Sequence, residues 1–200
     1  MRLVLASGNR NKLREYRQML EGTGIELVSQ TEAGFSDDVE ETGSSFEENS
    51  RLKAEAVTKA LGVPALADDS GLEVLALGGA PGIYSARYGG GGLTDGEKCR
   101  LLLHNLADAE DRRARFVCVI TCVFPGGDIL QVRGECPGRI GDSLRGENGF
   151  GYDPVFFPEG ETRTMAELSE EEKNAVSHRG TALREFRQAL DAYRREKTGC

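Results

Sequence analysis

The sequence predicts an α/β protein built on a mixed, twisted central sheet flanked by helices, with a second lobe that contains a β-hairpin. Three observations carry this reading. An apolar run at residues 2–6 (RLVLA) turns through Ser7-Gly8-Asn9 into a helical repeat and then a second apolar run at residues 25–29, the β-turn-α-β order from which parallel sheets are built. A capped helix from residue 45 to about 61 returns the chain to another short buried-strand run at residues 64–67. Two β-rich runs, residues 115–124 and 128–136, are separated only by Pro125-Gly126-Gly127, as in a hairpin with a short turn.

The bulk composition is that of one globular domain, residues 1–200, with ample core: 38% of residues are hydrophobic and 26 are glycine. A net charge of −8 argues against a general binder of nucleic acid or of anionic membranes, which would present a basic face. It leaves room for a small anionic substrate, because a local pocket of Lys, Arg and metal can outweigh the global sign. The five cysteines (Cys99, Cys118, Cys122, Cys136 and Cys200) are odd in number and form no CxxC pair. Cys118 and Cys122 share one face of a strand-like run and are expected to be small core residues. With no signal-peptide pattern and no apolar run near 18 residues, the chain is expected to be soluble and cytoplasmic. Two histidines make a His-rich zinc site unexpected.

In chain order, Leu13, Tyr16, Met19 and Leu20 recur at helical spacing, and Gly22 and Gly24 stop that helix. The turn before it, SGNRNK (Ser7, Gly8, Asn9, Arg10, Asn11, Lys12), has a glycine for close backbone approach, free N–H groups and two cations. It lacks the second glycine and the Ser/Thr of a GxxxxGK[ST] phosphate loop, so alone it also fits an ordinary strand-helix turn. Acidic residues crowd residues 32–42, and most are expected to lie on a solvated face. Ser45-x-x-Glu48 reads as a capping box for a helix whose Phe46, Leu52, Ala56, Val57 and Leu61 face the core, with Asn49 and Lys53 sharing a face.

The run at residues 64–67 then breaks into Asp68-Asp69-Ser70-Gly71. Adjacent carboxylates past a buried strand repel and are partly desolvated, which a chain tolerates most readily against a divalent cation or a group that needs a base. By itself DDSG fits a strand-to-turn junction with two solvated aspartates equally well. A long Gly-rich loop at residues 78–92 carries Tyr84, Arg87 and Tyr88 and is expected to be mobile, or ordered by a ligand or partner. A helix opened by Thr94 or Asp95 follows, then the hairpin, a second Gly-rich loop and an apolar run at residues 155–157. The tail is read as helix to about Val176, a break at residues 177–180, and helix again to Arg195.

Taken in order, SGNRNK, EETGSSFEENSRLKA, ADDSGLEV, GGAPGIYSARYGG, ENGFGYDP and MAELSEEEKNAVSHRG resemble the inosine triphosphate pyrophosphatase (Ham1-like) family over nearly the whole chain. The resemblance implies hydrolysis of non-standard purine nucleoside triphosphates (ITP, dITP, XTP) to the monophosphate and pyrophosphate, in a cleft between two lobes, by Mg²⁺-assisted attack of water at the α-phosphorus. It implies that Ser7, Gly8, Asn9, Arg10, Asn11 and Lys12 cradle the triphosphate and that Lys53 adds a second cation. Glu41 and Asp69 would hold Mg²⁺, with Asp69 also the proton acceptor for water, Asp68 its support, and Ser70 a substrate contact. Phe150 would stack on the base beside Gly151, Tyr152 and Asp153, and Lys173, His178 and Arg179 would reach the purine edge or the phosphates. It also implies a homodimer. Glu147-Asn148 and the acidic stretch at Asp37-Asp38 depart from the family pattern and put only loop length in doubt. A nucleotide sensor that does not hydrolyse, and a pyrophosphatase for modified pyrimidine nucleotides, are the alternatives.

Overall fold

The computed structural model describes residues 1–198; Cys200 lies outside the described residues. The strands are β1 (Arg2–Leu5), β2 (Glu26–Ser29), β3 (Ala65–Val74), β4 (Arg113–Val123), β5 (Ile129–Ile140) and β6 (Phe156–Pro158), in one mixed sheet of order β2-β1-β3-β4-β5-β6. The helices are α1 (Arg10–Leu20), α2 (Phe46–Leu61), α3 (Asp95–Asn105), α4 (Glu170–Val176) and α5 (His178–Thr198). The chain divides into two compact units and passes from one to the other within β3, β4, β5 and α5.

The first unit comprises Met1–Asp69, Cys118–Gly134 and the described chain from Ala182. β1 pairs in parallel with β2 (Leu3 opposite Leu27) and with β3 (Leu5 opposite Leu66), the βαβ arrangement expected. Because strand side chains alternate between faces, Leu3, Leu5 and Leu66 pack with Tyr16 and Leu20 of α1 and Phe186 and Leu190 of α5. Val4, Ala6, Ala65 and Ala67 pack on the other face with Ala54 and Val57 of α2. Each fully buried leucine on these faces contributes about 1.5–3 kcal/mol of burial. Cys118 and Cys122 sit in the first of these clusters, as expected.

Ser45 caps α2 by accepting Glu48 N–H, but the Glu48 carboxylate turns to Ser44 N–H and Oγ at 2.6 and 2.8 Å, so the predicted box does not close on Ser45. The buried face is also rotated from the predicted one: Leu52 is exposed, while Ser50, Ala54 and Thr58 are buried. Two hydrogen bonds to β4 set that rotation, Ser50 Oγ with Thr121 Oγ1 at 2.7 Å and Thr58 Oγ1 to Val123 O at 3.1 Å. β3 likewise outruns the predicted strand, continuing through Asp68-Asp69-Ser70-Gly71 to Val74. Gly71 is absent from the positive-φ glycines, so no turn interrupts the pairing there.

The second unit comprises Ser70–Val117 and Glu135–Thr181. Its core gathers Leu72 and Val74 of β3, Leu102 of α3, Phe116 of β4, Ile140 of β5 and Phe156 of β6. β5 and β6 are antiparallel, and a side chain at Gly138 would strike Phe157 O at 2.2 Å. The Gly-rich loop is tied to β3 and to itself. Within its 3₁₀ turn at Gly82–Arg87, Ser85 Oγ accepts Leu72 N–H at 2.8 Å and donates to Gly82 O at 2.6 Å. Reciprocal capping boxes start α3 (Thr94 with Glu97) and α4 (Ser169 with Glu172).

The predicted helix break at residues 177–180 shrinks to Ser177, because α5 begins at His178. Gly180 permits this: a Cβ there would lie 1.9 Å from Asn174 O, a backbone atom with no slack. Gly180→Ala is therefore expected to destabilise the protein by roughly 1–3 kcal/mol through overpacking, read as a lower urea midpoint. An unchanged midpoint would show that the α4–α5 junction accommodates the methyl group.

Candidate functional site

In the first unit, three elements converge on Asp68 and Asp69. α1 supplies Lys12 from its first turn, α2 supplies Lys53, and the loop before α2 supplies Glu41. Neighbouring strand residues point to opposite faces, so the two aspartates acquire different partners. Asp68, fully buried, pairs with Lys12 Nζ at 3.0 Å and accepts the Cys118 S–H at 3.7 Å. This pair holds Lys12 in place, a contact the sequence does not announce. Asp69 faces Lys53, whose Nζ is 3.1 Å from Asp69 Oδ1, 2.6 Å from Glu41 Oε1 and 2.9 Å from Asp68 O.

Charge and burial compete in this cluster. Burial pushes the Asp69 carboxyl above its ordinary value, Lys53 opposes that, Glu41 adds to it and Lys12 opposes it, with a net upward shift. Burial pulls the Lys53 ammonium down, but the carboxylates of Asp69, Glu41 and Asp68 together hold it above its ordinary value. Lys53 is thus a fixed cation. Asp69 Oδ2 is buried and has no hydrogen-bond partner among the described residues. An orphaned, acceptor-only oxygen of this kind suits a water or a hard cation.

The turn ahead of α1 is arranged as a helix cap. Asn9 Oδ1 accepts Asn11 N–H at 2.9 Å and Lys12 N–H at 3.2 Å, and Ser7 Oγ accepts Asn9 N–H at 3.2 Å. The free N–H groups expected here are thus not all free: those of Asn9, Asn11 and Lys12 are already taken by side chains of the turn, which the sequence alone could not show. Gly8 and Arg10 are exposed, and a side chain at Gly8 would meet open space.

The second unit brings together the aromatic and cationic residues. Lys173 Nζ pairs with Asp153 Oδ2 at 2.6 Å, both side chains being buried, and the same oxygen accepts Phe150 N–H at 2.9 Å. Lys173 Nζ lies 4.9 Å from the Phe150 ring centroid and the Arg179 guanidinium 5.7 Å from it, so two cations flank a half-buried ring. Arg179 Nη2 also donates to Ser70 Oγ at 3.0 Å. His178 is buried and stacks on Phe116, with centroids 4.7 Å apart and planes inclined by 12°. The Tyr152 ring belongs to the hydrophobic core, its OH donates to Ser85 O at 2.8 Å and its carbonyl accepts Val155 N–H at 3.1 Å, so the ring is not placed to stack on a ligand.

Sequence reasoning missed two contributors: Asp68 as the partner of Lys12, and Asp95, whose Oδ2 accepts Gly151 N–H at 2.7 Å. Fifty-six residues separate the latter pair, and no local spacing rule reaches that far.

The mixed sheet with its flanking helices defines an α/β protein that carries a cation-balanced carboxylate group and a capped Gly turn in its first unit and a cation-flanked aromatic in its second. A model of the Ham1 family matches residues 3–189, and the chain belongs to that family. It is 51% identical to a dITP/XTP pyrophosphatase of Desulfotalea psychrophila over 92% of this chain and 83% of that protein. Identity to the dITP/XTP pyrophosphatase of Salmonella typhimurium is 49%, covering 94% and 98% of the two chains. The structure of the Staphylococcus aureus Ham1 protein superposes with a TM-score of 0.87 at 44% identity, covering 96% of this chain and all of that one.

The buried Lys173–Asp153 pair yields a test of this geometry. Removing one partner strands a buried charge, so Lys173→Met and Asp153→Asn are each expected to cost about 3–5 kcal/mol of stability. The double variant should lose clearly less than the sum of the two. Strict additivity in urea unfolding would show that the pair is not coupled.

Proposed function

We propose that the chain, acting as a single domain over residues 1–200, hydrolyses ITP, dITP and XTP to the nucleoside monophosphate and pyrophosphate. The observation that carries the reading is the Lys53 ammonium, 2.6 Å from Glu41 and 3.1 Å from Asp69, in a chain of the Ham1 family. The similar proteins named above are dITP/XTP pyrophosphatases, which supports the same substrate class here.

The donor set fits Mg²⁺, although no group of three or more His, Cys, Asp or Glu residues suited to a metal occurs among the described residues. Mg²⁺ needs only one or two carboxylates, since waters and substrate phosphates complete its octahedron. Glu41 and Asp69 would hold it, and the buried, unpartnered Asp69 Oδ2 is the kind of atom such an ion satisfies. When bound, it supplies charge neutralisation at the phosphoryl oxygens.

The chain's own residues do the rest. Asp69 accepts the proton of the attacking water. Lys12 and Lys53 offset the negative charge that builds on the phosphates. Phe150 stacks on the purine, with Lys173 and Arg179 beside it. A donor at His178 or Arg179 meets the 6-oxo group, whereas the 6-amino group of adenine would place donor against donor.

No described helix is long and apolar enough to cross a membrane. Cys99, Cys118, Cys122 and Cys136 are buried free thiols, and the same reading has the protein act on the cytoplasmic nucleotide pool as a homodimer.

Asp69→Asn is near-isosteric and is expected to keep the fold while lowering kcat by roughly 10²-fold or more. Glu41→Gln should mainly raise the Mg²⁺ concentration needed for half-maximal rate. Wild-type turnover in Asp69→Asn, together with unchanged metal dependence in Glu41→Gln, would remove both residues from the site.

Base selection is tested by kcat/KM for ITP and ATP in His178→Ala and Arg179→Ala. Loss of the 6-oxo donor should draw the ratio toward unity. An equal loss for both substrates would assign the residue to phosphate binding instead.

A further inference from the structure

We infer that Asp95 and Cys99 of α3 are positioning residues for base recognition: they grip both backbone polar groups of Gly151 and so fix the Phe150 ring at a set height and tilt. The inference rests on the proposed role of Phe150 as the stacking surface and adds residues that no motif in that role contains.

The geometry is specific. Asp95 Oδ2 accepts Gly151 N–H at 2.7 Å, and Cys99 Sγ, one helical turn on, donates to Gly151 O at 3.3 Å. Residues four apart on a helix share a face, so one side of α3 holds the segment by two points. Either side of Gly151 is also committed: Phe150 N–H donates to Asp153 Oδ2 at 2.9 Å and Tyr152 OH to Ser85 O at 2.8 Å. Gly149 and Gly151 both have positive φ, and a side chain at Gly149 would strike Asp153 Oδ2 at 2.1 Å. With the backbone on either side anchored in this way, the half-buried Phe150 ring is held where it can meet a ligand.

The partners are chemically suited to a permanent grip. Burial and the nearby Asp95 and Asp153 carboxylates push the Cys99 thiol up to about 12, so it remains an S–H donor. Burial alone would raise the Asp95 carboxyl, but the bonds from Lys98 and Gly151 outweigh it and keep the group ionised. Lys98 Nζ, 2.9 Å from Asp95 Oδ1, also donates to Ala86 O at 3.2 Å, which ties the Gly-rich loop to the same carboxylate. Asp95 thereby links α3, the Gly-rich loop and the Phe150 segment at one point.

The test compares wild type, Asp95→Ala and Asp95→Asn in three measurements. These are kcat and KM for ITP and ATP, inhibition by inorganic tripolyphosphate, which has no base, and amide hydrogen exchange of residues 149–153. Asp95→Ala is expected to raise KM for ITP about tenfold, in line with loss of a charge-assisted hydrogen bond. It should leave kcat near wild type, narrow the ITP to ATP ratio and speed exchange in residues 149–153. Tripolyphosphate inhibition should be unchanged, and Asp95→Asn, which keeps an acceptor oxygen, should recover most of the ITP affinity. Wild-type KM and ratio in Asp95→Ala would overturn the inference. So would an equal weakening of tripolyphosphate, which would mark a general structural role. Absence of purine triphosphate turnover in the wild-type protein would instead overturn the functional reading, and this inference with it.

Discussion

The placement of one ammonium group between two carboxylates is the constraint on which the first unit depends. Without Lys53, Glu41 and Asp69 would repel across a partly desolvated space, and the carboxylate nearer the core would be driven further toward its neutral form. With Nζ at 2.6 and 3.1 Å from them, both acids can stay charged next to a buried strand. The lysine reaches that point only because α2 is held at one rotation, and the Ser50–Thr121 and Thr58–Val123 hydrogen bonds set it. A helix seated by apolar contacts alone could turn by several degrees at small cost. These polar contacts remove that freedom and convert a packing decision into the position of a charge.

The second unit repeats the principle with an aromatic at its focus. Lys173 is neutralised by Asp153 and still lies 4.9 Å from the Phe150 ring, while Asp153 holds the backbone of the same residue. A lysine committed to a buried carboxylate has little conformational freedom left to lose when a ligand arrives, which favours preorganised binding. Lys12, paired with buried Asp68, is held in the same way. In each case a buried carboxylate determines where a cation stands.

Much of this was legible in the sequence, for reasons that differ from part to part. The βαβ opening, the hairpin and the cysteines of β4 follow from periodicity, which is a local property, although the hairpin turn falls in the first unit and not in the expected second lobe, because both strands cross from one unit to the other. SGNRNK, DDSG and GFGYDP stand out because their residue types are unusual at those points and occur in a family order. What failed was local reading of features set by distant partners. Leu52 was assigned to the core because apolar spacing cannot report hydrogen bonds from Ser50 and Thr58 to β4. DDSG was read as a strand end because Asp and Gly are turn residues, whereas β3 continues through it with its charges balanced by α1 and α2. Asp95 looked like a helix start and is one, but its carboxylate is committed to Gly151 far along the chain.

The central claim is that these charges serve attack of water at the α-phosphorus, with pyrophosphate leaving. Hydrolysis of ITP by the wild-type protein with Mg²⁺ in ¹⁸O-enriched water, followed by mass analysis of both products, tests it most directly. The account requires one ¹⁸O in the inosine monophosphate and none in the pyrophosphate. Label in the pyrophosphate, or release of orthophosphate in place of pyrophosphate, would place the attack at another phosphorus and contradict it.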